Sequence, residues 1–170
     1  RLFKTVEKAV IELNGTIKYT LTYKNNTDSI IPEFQLLDIL PYNGDARGSA
    51  FNGTYKIQQI DITKYDADGN ELTSDNVVAY YTNNSEIRNG YSAKDDFINE
   101  LSGWNTIAAR TTINNYATAI ALKGEASAQE RIVVDIYLKT ENNKYGVLDI
   151  SKLSLKKSDN GTYQITDFGF

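Results

Sequence analysis

A carboxylate lies in the middle of an apolar, strand-like segment, FQLLDIL (34–40). Side chains alternate along a β-strand, so Asp38 would share its face with three apolar residues, Phe34, Leu36 and Leu40. An ionised carboxylate on such a face needs a partner, because isolated burial of a charge is very costly. A lysine on a neighbouring strand, Lys4 or Lys8, would supply the opposite charge.

A Lys4–Asp38 pair has two chemical interpretations. With an Asn side chain beside it, a protonated carboxyl would polarise the amide while a neutral buried lysine attacked it, which gives an intramolecular Lys–Asn isopeptide bond. Alternatively, Asp38 is an ordinary buried acid that accepts hydrogen bonds from backbone amides or threonine hydroxyls at a strand end. The residue types leave both interpretations open.

The segment YNGDARGS (42–49) follows this strand and carries a second acid beside a base. Asp45 and Arg47 are close enough in sequence to pair, and Gly44 and Gly48 permit the bends that a tight loop requires. We therefore predict a structured corner here and not an active-site loop.

The acid-rich segment YDADGNELTSD (65–75) resembles the start of a calcium-binding EF-hand loop only superficially. Such a loop needs a glutamate at its twelfth position and helices on both sides, whereas the twelfth residue from Asp66 is Val77 and the flanks are strand-like. A hairpin turn in which Gly69 supplies a positive φ explains the segment better. We predict no metal site and no cofactor.

Glycoside hydrolysis would need two carboxylates at a fixed separation across a cleft. The sequence offers several acids for this role, and nothing in it favours one pair: Asp95, Asp96, Glu100 and Asp135. Tyrosines suit contact with sugars or peptides, but their alternation within strands favours packing between strands. Trp104 is predicted to anchor a core. We expect that the protein is not an enzyme.

Composition excludes several classes of function. The chain has no Cys and no His, which removes thiol nucleophiles, zinc–thiolate sites and the commonest general base. A net charge of -4 without a basic stripe argues against nucleic acid as a partner. No apolar run approaches the roughly 20 residues that span a bilayer. At 170 residues, one domain over residues 1–170 is the simplest organisation.

Two-residue alternation of apolar and polar side chains predicts the fold class. Seven segments are strand-like: 16–24, 34–40, 55–65, 76–82, 118–123, 131–139 and 162–168. Turn signals such as NG and DG separate them. In the third segment the alternation slips at Gln58 and Gln59, which indicates a bulge. We predict an all-β sandwich or barrel with at most one short helix near 92–104, and with the last segment as a closing or edge strand.

The order of several short motifs resembles a known family. FKTV, NGTIKYTLTYKN, LLDILPYNGDARGS, VVAYYT and ATAIALKGEASAQERIVVDIYLK follow one another as in the immunoglobulin-like repeat of Gram-positive cell-wall surface proteins and adhesins. The likeness spans roughly residues 2 to 150. In related adhesin and pilin domains, a lysine and an acid at the positions of Lys4 and Asp38 join a late-strand Asn in an isopeptide cross-link. Here the late-strand position is occupied by Ser151, which departs from that pattern.

The resemblance implies an immunoglobulin-like antiparallel β-sandwich and a function outside catalysis. It implies an extracellular, cell-wall attached protein in which this domain serves as a stalk or a ligand-presenting module. Its partners would be neighbouring domains of the same surface protein, and a host matrix protein or a glycan. A carbohydrate-binding or glycan-active β-sandwich is the alternative function, and a fimbrial subunit polymerised through lysine is a third.

Overall fold

The computed structural model confirms the predicted all-β sandwich. It describes residues 1–6, 14–42, 44–45, 51, 53–72, 76–88, 103–141, 155–157 and 163–165. Two sheets pack face to face, and the side chains between them form the main core. The predicted helix near 92–104 lies almost wholly outside the described residues. Within them, the helical element is one 3-10 turn at Ser85–Arg88.

The first sheet contains six strands: β1 (Leu2–Val6), β2 (Thr16–Lys24), β4 (Thr54–Tyr65), β5 (Glu71–Leu72), β8 (Asn115–Ala117) and β10 (Arg131–Glu141). Their order is β1-β2-β10-β4-β5, and β8 also pairs with β4. All of these pairings are antiparallel. β10 is therefore an interior strand, flanked by β2 and β4.

The second sheet also contains six strands: β3 (Ile31–Ile39), β6 (Val77–Thr82), β7 (Asn105–Ile107), β9 (Ala119–Ala126), β11 (Leu155–Lys157) and β12 (Tyr163–Ile165). Their order is β11-β12-β3-β9-β6-β7. Four of the pairings are antiparallel, but β12 runs parallel to β3. The last predicted strand is thus not at the edge of the sheet, because β11 pairs along its other side.

Alternation explains how these strands build the core. Along β2, every second side chain faces the other sheet, and Tyr19 and Leu21 are each 1% exposed. Along β10 the same pattern buries Val134 and Ile136, whereas Asp135 between them faces outward and is half-buried. Burial of this apolar surface is the main favourable term in folding.

A smaller apolar cluster covers the outer face of the second sheet. Leu37 and Ile39 of β3 point to this side and pack with Ile87 of the 3-10 turn. Trp104 is partly buried against the same cluster, in agreement with its predicted role as a core anchor. Both faces of β3 are therefore covered, which explains why the strand reads as a nearly continuous apolar run.

The bulge in β4 and the turn between β4 and β5 lie where the sequence predicts them. The register between β4 and β10 shifts by one residue so that Gln58 is the extra residue of a bulge, as the slipped alternation predicted. After β4, a tight turn reverses the chain into β5: the carboxylate of Asp66 accepts hydrogen bonds from the amides of Asp68 and Asn70, and Gly69 adopts φ +85°. This confirms the predicted hairpin.

Candidate functional site at the buried Lys4–Asp38 pair

The two predicted site residues Lys4 and Asp38 lie in opposite sheets. Lys4 is in the middle of β1, in register with Leu21 of β2. Asp38 lies near the end of β3, where it is in register with Ile120 of β9 and Ile165 of β12. A contact between Lys4 and Asp38 therefore crosses the interior of the sandwich.

The structure brings the two charged groups together in the core. The Nζ atom of Lys4 lies 3.2 Å from Oδ2 and 3.5 Å from Oδ1 of Asp38. The side chains are 0% and 2% exposed respectively. The partner predicted for the acid is thus Lys4, while Lys8 lies outside the described residues.

Tyr19 completes the cluster from the neighbouring strand β2. Its hydroxyl donates a 2.6 Å hydrogen bond to Oδ2 of Asp38, the same oxygen that faces Lys4. Its ring lies under the lysine, with Nζ 3.9 Å from the ring centroid. Burial, together with the charge of Asp38 and this hydrogen bond, raises the pKa of Tyr19 well above its ordinary value. The tyrosine is therefore a neutral donor at physiological pH.

These contacts link the two sheets through their interior. We call Lys4, Asp38 and Tyr19 together the clamp. A buried ion pair on its own is weak support for stability, because desolvating two charges offsets much of their attraction. Here the carboxylate also receives a short hydrogen bond and the ammonium rests on an aromatic ring, and both contacts offset part of that cost. Removing either charge would leave the other buried without its counter-charge.

An isopeptide cross-link requires an amide at this same place. The residues in register with Asp38 on its two neighbouring strands are both isoleucines, Ile120 and Ile165. Ser151, at the position where the resemblance places the Asn, lies outside the described residues. The cross-link and the identity of its Asn partner therefore stay predictions.

The corner after β3 is held by buried tyrosine contacts. The hydroxyl of Tyr55 donates a 2.9 Å hydrogen bond to the carbonyl of Pro41, and the amide of Asp45 donates to the carbonyl of Tyr42. Gly44 adopts φ +91° and Asp45 is 7% exposed, which fits a structured corner. Its predicted partner Arg47 lies outside the described residues, so that ion pair stays a prediction.

Two grooves in the described part of the chain do not offer the opposed pair of free acids that glycoside hydrolysis would need. A groove of about 430 Å³ opens between the sheets beside β5 and β7, and Glu71 is its carboxylate among the described lining residues. A second, of about 410 Å³, is lined by Glu33 and Glu125 together with Lys123, which pairs with Glu33 at 3.4 Å. In the part of the chain that the structure describes, no three Asp or Glu residues converge as metal ligands.

Three of the acids considered for a catalytic pair, Asp95, Asp96 and Glu100, lie outside the described residues. The fourth, Asp135, lies on the outer face of the first sheet and not in a cleft. Within the described ranges, no helix is both long and apolar enough to cross a bilayer.

No protein-family model matches the chain, and no curated protein matches it as a relative.

Sequence reasoning missed Tyr19 as a member of the cluster. The signal was present, since Tyr19 lies on the inward face of TIKYTLTYK and carries a polar group into an apolar layer. A buried tyrosine hydroxyl needs an acceptor, and Asp38 was the one acid predicted to be buried.

Proposed function

We propose that this chain is a non-catalytic structural or adhesive module of a bacterial cell-surface protein, and that it acts as a stalk or a ligand-presenting domain. The observation that carries the proposal is the clamp formed by Lys4, Asp38 and Tyr19 inside the sandwich. Such a clamp resists sliding and separation of the two sheets. A β-sandwich under mechanical tension must withstand both motions.

The position of the clamp supports this role. Lys4 belongs to β1, which pairs with β2 and is an outer strand of its sheet among the described residues. An outer strand is the one that a pulling force would detach first, because it has fewer partners than an interior strand. A buried contact from β1 to β3 fastens it to the opposite sheet.

The motifs that resemble the Gram-positive surface repeat supply the proposed location, outside the cell and attached to the wall. The reactive groups of the described residues support the absence of catalysis. The buried acid is engaged by a lysine and a tyrosine, and Asp135 lies on a flat sheet face. A glycan-active protein would need two acids that face a substrate across a cleft.

The cross-link is the covalent version of the same clamp. Attack of Lys4 on an Asn side chain would form one amide bond and release one ammonia. Asp38 would transfer the proton from the attacking amine to the leaving ammonia. Intact-mass spectrometry of the folded chain tests this: a mass lower by one ammonia establishes the bond, and the unmodified mass leaves the clamp as an ion pair. The Lys4→Arg variant is the matched control, since it keeps the charge and cannot form the bond.

Binding panels separate the stalk from the ligand-presenting module. The full chain is screened against immobilised glycans and against matrix proteins. Saturable binding to one class, lost on substituting exposed tyrosines, would assign a ligand-presenting role. No binding in either panel would leave the stalk. Turnover of a polysaccharide that is lost on changing a single acid would refute the non-catalytic proposal and favour the glycan-active alternative.

A further inference from the structure

Basic side chains form a row at one end of the outer face of the first sheet. Lys24 of β2 and Arg131 of β10 are directly opposite each other in register. Arg1 continues the row on the other side, where its carbonyl accepts a 2.8 Å hydrogen bond from the amide of Lys24. The guanidinium of Arg131 lies 4.5 Å from the ring centroid of Tyr65 on β4. We call Lys24 and Arg131 the basic pair.

Two carboxylates form a second row further along the same strands. Asp135 of β10 and Asp61 of β4 are also directly opposite in register. Thr20 donates a 2.6 Å hydrogen bond to Asp135, and Gln59 donates a 2.8 Å hydrogen bond to Asp61. We call Asp61 and Asp135 the acidic pair.

Neither pair is neutralised within its own sheet. Among the ion pairs of the described residues, none includes a member of the basic pair or of the acidic pair. The acids that adjoin Arg131 and its cross-strand neighbour Tyr65 in sequence are engaged elsewhere. Glu130 binds Lys64 at 3.1 Å, and Asp66 accepts amide hydrogen bonds of its own turn.

Each pair places like charges directly opposite on adjacent strands, an arrangement that destabilises a sheet. Positions 131 and 135 are four residues apart on β10, which is about 13 Å at the rise of a β-strand. Physiological salt screens exposed charges beyond about 8 Å, so one pair does little to relieve the other. The repulsion would be relieved by an occupant that places an acid opposite Arg131 and a base opposite Asp135, at the same spacing.

We propose that this occupant is a second copy of the chain, stacked face to face on the outer side of the first sheet. The two-fold axis would lie in the interface, perpendicular to the strands, at the level of Val133. On β10, that operation sets Arg131 of each copy opposite Asp135 of the other. On the flanking strands it sets Lys24 opposite Thr20 and Tyr65 opposite Asp61, so the attraction comes from the two Arg131–Asp135 contacts. An axis parallel to the strands would instead set like charges together, so the charges select the antiparallel stacking.

The stacking is expected to be weak and reversible. The overlap is centred on the first five residues of β10 and their neighbours on the adjacent strands, which is much less than the surface of a stable complex. Weak contacts of this kind become effective when many copies are held on one surface, because tethering raises their effective concentration. The inference does not depend on the proposed function, since it uses only the charges of one sheet face.

Charge reversal gives a test that a structural effect cannot imitate. Arg131→Glu sets two acids together in a homodimer, and Asp135→Arg sets two bases together, so each variant alone should be monomeric. A mixture of the two variants restores both attractive contacts. The mixture, and the double variant Arg131→Glu with Asp135→Arg, should each associate at least about tenfold more tightly than either single variant alone.

The readout is the ¹H–¹⁵N spectrum of one labelled variant titrated with the unlabelled other, at low and at high salt. Concentration-dependent shifts should concentrate on the outward residues of β2, β10 and β4 near Val133 and should fade at high salt. Lys139→Glu is the matched control: it reverses a charge on the same face of the same strand, outside the proposed overlap, and should not change self-association.

Three results would overturn the proposal. The first is a mixture that shows no shifts although both variants are folded. The second is a Lys139→Glu variant that weakens association as much as Arg131→Glu does. The third is a wild-type chain that shows no self-association but binds a sulfated polysaccharide, with the binding lost in Arg131→Glu. The basic pair would then be a binding site for a polyanion.

Discussion

Removing one charge of the Lys4–Asp38 pair should lower the free energy of unfolding much more than removing both charges. Lys4→Met leaves the carboxylate of Asp38 buried without the lysine that faces it, and Asp38→Leu removes the carboxylate that faces the buried ammonium. Since both side chains are almost fully buried, each single change should lower the free energy of unfolding by about 3–5 kcal/mol. The double variant buries no charge, and its remaining cost is the lost acceptor of Tyr19, about 1–3 kcal/mol.

Urea unfolding of wild type, of Lys4→Met, of Asp38→Leu and of the double variant measures the coupling energy between the two positions. The double variant should be more stable than either single variant, so the coupling energy between the two positions should reach about 3 kcal/mol or more. In thermal unfolding, each single change should lower Tm by about 6–20 °C for a chain of this size. Adding Tyr19→Phe to the double variant should recover most of the remaining loss. Single variants that cost less than about 1 kcal/mol, or costs that simply add, would refute the argument.

Three further predictions test other parts of the fold. Burial raises the pKa of both Tyr19 and Tyr55, so their contribution to stability should be fully present below about pH 10, where unfolded tyrosines ionise. Above that pH, the free energy of unfolding should fall by up to about 1.4 kcal/mol per pH unit for each tyrosine. Urea midpoints of wild type and Tyr19→Phe across this range measure the slope. Gly124→Ala would place a Cβ 2.5 Å from the carbonyl oxygen of Asn76 and should cost about 1–3 kcal/mol in urea unfolding, so a neutral result would contradict the close approach of β9 to β6. Asn25→Ala removes an amide that donates to three backbone carbonyls and should cost about 1–3 kcal/mol in urea unfolding.

The long strands could be predicted from the sequence because their side chains alternate. The segment 16–24 coincides with β2, and 131–139 falls within β10. The bulge at Gln58 was visible as a break in the same period. Local patterns suffice for such elements, since a half-buried strand imposes a period of two on its residues.

The short strands and the pairing of the sheets could not be predicted in the same way. β5 and β7 are two and three residues long, too short to show a period. The parallel contact of β12 with β3 joins segments more than a hundred residues apart, and no local signal encodes it. Tertiary contacts decide such pairings, because side-chain packing overrides the weak preference of a short segment.

The candidate site was predictable in part. An acid on an apolar face demands a partner, which is why Lys4 could be named as the partner of Asp38. The third member, Tyr19, required knowledge that β2 lies beside β1 and faces β3. The opposed Asp61 and Asp135 depend on the register of β4 against β10, which the bulge shifts and which the sequence does not fix.

The most direct test of the clamp is the ¹⁵N signal of the Lys4 side chain in the folded chain, assigned with the Lys4→Met variant. We predict a Nζ signal whose protons exchange slowly with water, because the ammonium is buried and hydrogen-bonded to Asp38. An amide-type signal at the same atom would show that the clamp has become covalent. Exchange as fast as that of a surface lysine would contradict a lysine buried between the two sheets.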